Sequence, residues 1–250
     1  MAIAVPFLSE GEIELAATRL LVEFSGGRIR PPVPVENIVE KHLKLTLGFD
    51  DLHERLGILR SGNEPEVLGA LWAESREVLV DESLDPDEYP EQEGRYRFTL
   101  AHEIGHYCLH KDFLTSPAQQ GADLFGFSKA PTVIYRESQA KVRIERQADS
   151  FASCLLMPKP WVRIVWRELF SRSNALVFSA WPGFDWTKPP LGWRESGLLA
   201  ETAAAVEYFF YRASKPMAAE FGVSVQAMRV RLEQLGLLLV DDPRQHSLAF

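Results

Sequence analysis

The stretch that most constrains this chain is Thr99-Leu100-Ala101-His102-Glu103-Ile104-Gly105-His106. On a helix, residues four apart share one face, about 6 Å apart along the axis. His102 and His106 can then offer two imidazole nitrogens to one metal ion. Glu103 stands beside the first of them, where its carboxylate can reach a water held at the metal. This is the arrangement of a zinc hydrolase with a glutamate general base. The plainer alternative is an amphipathic helix with two exposed histidines. Against it, the chain has only six histidines, and two fall at this spacing around a glutamate.

A catalytic zinc usually takes three protein ligands and leaves one position open for water. The best source of a third ligand is Arg143-Ile144-Glu145-Arg146-Gln147-Ala148-Asp149-Ser150-Phe151-Ala152. Glu145 and Asp149 are also four apart and share a helical face. Glu145 can ligate the metal while Asp149 accepts the free ring N–H of a ligating histidine, which fixes its tautomer. Ala148, Phe151, Ala152, Leu155 and Leu156 form an apolar stripe at helical spacing, so this helix packs. A carboxylate pair beside a packed face needs partners, and a metal and a histidine would supply them.

Three ordered motifs resemble the ImmA/IrrE family of metallo-endopeptidases. They are Arg97 to His106, then Glu145-x-x-Ala148-Asp149-x-Phe151-Ala152, then Leu155-Leu156-Met157-Pro158. The similarity covers roughly Pro32 to Met157, with a weaker match in the tail. The resemblance implies His102, His106 and Glu145 as metal ligands and Glu103 as the base. It also implies a neighbouring-gene helix-turn-helix repressor as the protein substrate. Members often carry Asn where this chain has Asp149; Asp adds charge and should make its histidine partner a stronger donor to the metal.

The expected cofactor is one Zn2+ per chain, although two imidazoles and one carboxylate also accept Mn2+ or Fe2+. Two hundred and fifty residues suit one large domain, or one with a small appendage, and need no disulfide staples. The net charge of −8 reads against direct DNA binding and permits a basic protein partner. Cys108 and Cys154 suggest small buried residues rather than a disulfide framework, which fits a cytoplasmic setting. Met1 to Leu8 lacks the basic start of a secretory signal, and no apolar run approaches the roughly 20 residues that span a bilayer. No membrane association is expected; oligomeric state is not legible.

Along the chain, Ser9 and Glu12 form a capping box for a helix ending at Gly26-Gly27. Val35 to His42 reads as a short helix and Leu43 to Leu47 as a strand. Val67 to Ala73 and Glu77 to Asp81 read as a hairpin, with Val78, Leu79 and Val80 as a candidate edge for an extended substrate. The metal helix is expected from Tyr96 to Lys111, with His110 as a solvated helix-end residue. Between Asp112 and Ser138 a substrate cleft is expected, where Tyr135 or Arg136 can stabilise an oxyanion. Gln139 to Met157 is the second metal helix. Pro160 to Ser171 and Leu198 to Ala213 follow, separated by an aromatic linker with Trp181, Phe184, Trp186 and Trp193. Lys215 to Leu235 has the helix-turn-helix pattern around Gly222-Val223-Ser224.

The expected fold class is α+β. Residues 1–175 form a mostly helical, zincin-like peptidase domain with a small antiparallel sheet. Residues 176–250 form the aromatic linker and a helix-turn-helix-like helical segment packed on it. The expected function is zinc-dependent endopeptidase. The alternative is a non-catalytic, metal-stabilised regulator that binds protein or DNA through its C-terminal helices.

Overall fold

Ser9 starts the first helix as its capping residues require. In this computed structural model, which describes residues 7–27, 29–57, 67–114, 139–178 and 197–240, α1 runs Glu10–Ser25. The Glu12 N–H donates to Ser9 Oγ at 3.3 Å, and the Ser9 N–H donates back to Glu12 Oε2 at 2.8 Å. Gly26, at φ 66°, closes the helix in the left-handed conformation that glycine adopts without strain. Ile13, Ala17, Leu20 and Leu21 are buried at helical spacing. After α2 (Val35–Asn37) and a continuing π-turn (Ile38–His42), the chain enters β1 (Thr46–Asp50) and then the short α3 (Leu52–Leu56).

The hairpin forms where its β-branched and aromatic residues placed it. Strands β2 (Gly69–Trp72) and β3 (Glu77–Asp81) pair antiparallel around residues 73–76. The sheet is not purely antiparallel, however. β1 pairs parallel with β3, giving a mixed sheet ordered β1-β3-β2. Val78, Leu79 and Val80 therefore lie on the central strand and offer no edge. Both their neighbours already use their backbone hydrogen bonds, and the three side chains are 0, 5 and 0% exposed. The edge beside the hairpin is β2.

Successive strand residues face opposite sides of a sheet. Ala70, Trp72 and Leu79 join Leu52 and Val67 in an apolar cluster, with Leu56 of α3 against it. The other face carries Gly69, and a side chain there would meet Thr99 and Glu103. Helix α4 (Glu93–Leu114) thus covers that face, three residues ahead of its expected start. Arg97 anchors it by donating to the Val33 carbonyl at 2.6 Å. Helix α5 (Gln139–Leu156) packs on both α4 and α1. Its stripe of Ala148, Phe151, Ala152, Leu155 and Leu156 is fully buried.

The chain divides into two compact units, 1–158 and 159–250. The boundary falls at Pro158, rather than near residue 175, because α6 (Lys159–Phe170) packs with the later helix α7. In the second unit α7 spans Gly197–Phe221 as one helix, running through Pro216 where a break was expected. Phe209, Ala213, Met217 and Phe221 continue at four-residue spacing and are all buried, which offsets the hydrogen bond that a proline removes. Ser224 then caps α8 (Val225–Gln234), accepting from the Ala227 N–H at 3.1 Å. Two short strands, β4 (Leu176–Val177) and β5 (Leu238–Leu239), pair in parallel. Among the described residues no helix is long and apolar enough to cross a membrane. The aromatic linker residues Trp181, Phe184, Trp186 and Trp193 lie outside the described residues.

Candidate metal centre

Helices α4 and α5 meet at a glycine. An added methyl at Gly105 would lie 3.1 Å from the Ala148 Cα, 3.2 Å from its carbonyl oxygen and 3.2 Å from the Phe151 Cβ. A side chain there would push the helices apart by a few tenths of an ångström. The close approach carries Glu145 on α5 across to His102 and His106 on α4.

Three donor atoms converge there. His106 Nε2 is 2.9 Å from His102 Nε2, and Glu145 Oε2 lies 3.1 Å from His102 Nε2 and 3.5 Å from His106 Nε2. For bonds of about 2.0–2.1 Å, tetrahedral geometry sets ligand atoms roughly 3.3–3.4 Å apart. The observed triangle, with sides of 2.9, 3.1 and 3.5 Å, brackets that spacing. Two imidazole nitrogens facing each other at 2.9 Å need a proton or a metal cation between them. The donor set therefore fits a divalent ion. His102, His106 and Glu145 form a group of that kind among the described residues.

Proton affinities follow from the same contacts. Burial alone would lower the pKa of His102, but hydrogen bonds to Asp149 and Glu145 carry it up to about 10. Glu145 moves the opposite way. Burial would raise it, yet hydrogen bonds from His102 and His106 hold it well below the usual carboxylate range. Glu103 is 5% exposed, and burial pushes its carboxyl up, opposed by the nearby His106 and His102. It lies against the sheet, where the position of an added methyl on Gly69 is 2.7 Å from Glu103 Oε1.

His102 Nδ1 contacts Asp149 Oδ1 at 2.8 Å, which brings Asp149 to the position expected for a carboxylate behind a ligand. His110 departs from its expected place. It is 0% exposed, with Nδ1 3.3 Å from His106 Nδ1 and Nε2 2.8 Å from Gln147 Oε1. Burial, outweighing the hydrogen bond to Gln147, lowers its pKa to about 4. The packing of α5 covers this end of α4, which the four-residue spacing of 102, 106 and 110 hinted at without deciding. Cys154 is buried as expected, whereas Cys108 is exposed. Tyr135 and Arg136 lie outside the described residues.

Residues 87–173 match the profile of a peptidase family, M78, described as the IrrE N-terminal-like domain. A search of curated proteins returns no match. Among solved structures, a Mycobacterium tuberculosis transcriptional regulator is similar over 94% of this chain at 14% identity, with a TM-score of 0.45. This chain spans about half of that regulator's length, 48%. The matched stretch carries both candidate metal-site helices and is similar to the IrrE N-terminal-like domain of the M78 peptidases, in line with the ImmA/IrrE resemblance of its motifs.

Proposed function

We propose that this chain is a zinc-dependent endopeptidase that cleaves a helix-turn-helix repressor. One observation carries the reading: His102, His106 and Glu145 converge as a metal-ligand triad, with the buried carboxyl of Glu103 beside it. A divalent ion held there would supply a water activated near neutral pH and an electrophile for a carbonyl oxygen. Glu103 accepts the proton of the attacking water on a carboxylate oxygen and passes it to the leaving amine nitrogen. Its raised proton affinity suits both transfers. Asp149 holds the His102 ring through Nδ1, leaving Nε2 to ligate.

The sheet supports an extended substrate. The Asp81 N–H donates to the Leu68 carbonyl at 2.9 Å, and pairing directions alternate along an antiparallel ladder. Leu68 and Ala70 thus face β3, while Gly69 and Leu71 turn their N–H and C=O groups to the other edge. Among the described residues no strand pairs there. A substrate strand added at that edge would run beside Glu103, taking backbone hydrogen bonds without demanding particular side chains.

The rival reading is a regulator that uses a metal only for stability. A structural ion has no use for Glu103, a buried carboxyl beside the triad. The DNA-binding version depends on Arg229 and Arg231. Glu207 holds Arg229 through both guanidinium nitrogens, Glu233 lies 3.6 Å from its Nε, and Arg231 is 4% exposed. That leaves little cationic surface for phosphates.

The test is to co-produce the repressor encoded beside this gene with wild type or with Glu103→Gln and measure its intact mass. Two fragments whose masses sum to the repressor plus one water, formed only with wild type, support the reading. Cleavage that persists in Glu103→Gln refutes the role of the base. An intact repressor that co-purifies with wild type favours the regulator.

A further inference from the structure

We infer that His110 and Gln147 are positioning residues that hold His106 in the tautomer able to bind metal. The inference rests on the metal-site reading above. His106 directs Nε2 at His102 and Glu145, so its Nδ1 must find a partner on the far side. That partner is His110, one helical turn further along α4. Its Nδ1 lies 3.3 Å from His106 Nδ1. His110 Nε2 lies in turn 2.8 Å from Gln147 Oε1 on α5. His106, His110 and Gln147 are 1, 0 and 5% exposed, so water does not offer them alternatives.

The order of protons along this chain of contacts follows from what each atom can do. A carbonyl oxygen only accepts, so Gln147 Oε1 requires a proton on His110 Nε2. A neutral imidazole has one N–H, so His110 Nδ1 is then bare and accepts. The N···N contact therefore takes its proton from His106 Nδ1. With that proton on Nδ1, His106 Nε2 is bare and aimed at the metal. In the reverse order His110 Nδ1 donates, and with the Gln147 amide in the orientation seen here two bare acceptors meet. His106 then carries its proton on Nε2, where it blocks ligation. In a buried site an unmet acceptor pair is costly. Gln147 thus selects, through His110, the ligating tautomer of His106.

The two metal histidines are consequently held in different ways. His102 has a charged, largely exposed carboxylate behind it, with the Asp149 side chain 58% exposed. His106 has a neutral, fully buried relay. A carboxylate at the place of His110 would add a charge to the interior between α4 and α5, where a neutral imidazole adds none.

The experiment measures zinc affinity by chelator competition for wild type, His110→Leu and His110→Asn, with far-UV circular dichroism to establish that each is folded. Long-range 1H–15N correlations on histidine-labelled, zinc-loaded wild type read the tautomers directly. Asn can place Oδ1 where His110 presents Nδ1, so it retains the acceptor; Leu removes it. Loss of an outer hydrogen-bond partner typically weakens metal binding roughly 10–100-fold. We expect a loss of that size for Leu, most of it restored in Asn, with protons on His106 Nδ1 and His110 Nε2 in wild type. Equal affinity in Leu and wild type would overturn the inference. So would equal losses in Leu and Asn, which signify packing alone, or a proton on His110 Nδ1. If wild type itself takes up no divalent metal, the metal-site reading fails as well, a result distinct from any difference among variants.

Discussion

Gly105→Ala tests whether the close approach of two helices sets the metal site. The added methyl would sit 3.1–3.2 Å from Ala148 and Phe151, whereas ordinary contact starts near 3.4 Å. Two of the three atoms it meets belong to the backbone, so α5 must yield by a few tenths of an ångström. Alanine improves helix propensity by about 1 kcal/mol, and overpacking costs about 1–3 kcal/mol, so the metal-free protein should change little or weaken modestly. The metal site is less forgiving, because ligand distances tolerate only about 0.2 Å. Displacing Glu145 by more than that should cost at least about tenfold in zinc affinity, or about 1.4 kcal/mol. At saturating zinc the stabilisation on metal binding shrinks by the same amount. For a chain of this size that removes about 3–6 °C from the zinc-induced rise in Tm. The assay is thermal unfolding with and without zinc. An unchanged zinc-induced rise, whatever happens to the metal-free Tm, would refute the reasoning.

Gly69→Ala should leave zinc affinity intact but displace the Glu103 carboxylate, since the new methyl would lie 2.7 Å from Oε1. A misplacement approaching 1 Å costs on the order of 100-fold in rate, so kcat for the proposed peptide cleavage should fall by about that factor; an unchanged kcat would mean that Glu103 is not held against β2. In the metal-free protein, His110 should take stability away as pH drops from 6.5 towards 4.5, against an opposing gain from Glu103, whose carboxyl burial pushes up. The pKa of His110 is lowered from 6.5 to about 4. The unfolded chain takes up that proton first, so this contribution is complete above 6.5 and is lost on the way down. The raised pKa of His102 has the opposite sign. Its contribution is complete below 6.5 and declines only as pH rises towards 10, so it is constant in this window. Glu145, whose pKa is lowered, loses its contribution below about 4.5, the ordinary carboxylate value. The full His110 effect corresponds to roughly 3 kcal/mol at most. Urea unfolding at pH 6.5 and 5 should show a flatter profile for His110→Asn, and parallel profiles would contradict the assignment.

Local pattern carried most of the elements and singled out the residues that converge as a candidate ligand group, because helical spacing pairs 102 with 106 and 145 with 149. The same pattern does not carry strand order. Val78 to Val80 reads as a strand in any sheet, and only the arrival of β1 from some thirty residues upstream makes it central. Nor does it carry the depth of a helix end. His110 continues the face of His102 and His106, but whether it meets water or Gln147 depends on how α5 crosses α4. That crossing depends in turn on Gly105, whose role is visible only as the space its missing side chain leaves. Pro216 makes the same point: its usual preference to break a helix is overridden by the buried residues around it.

The most direct test of the metal site is the metal content of wild type, Glu103→Gln and Glu145→Ala after equilibrium dialysis against zinc. The account predicts one ion per chain in wild type and Glu103→Gln, and loss of the ion in Glu145→Ala. Full occupancy in Glu145→Ala, or loss in Glu103→Gln, would contradict the division of these two glutamates into ligand and base.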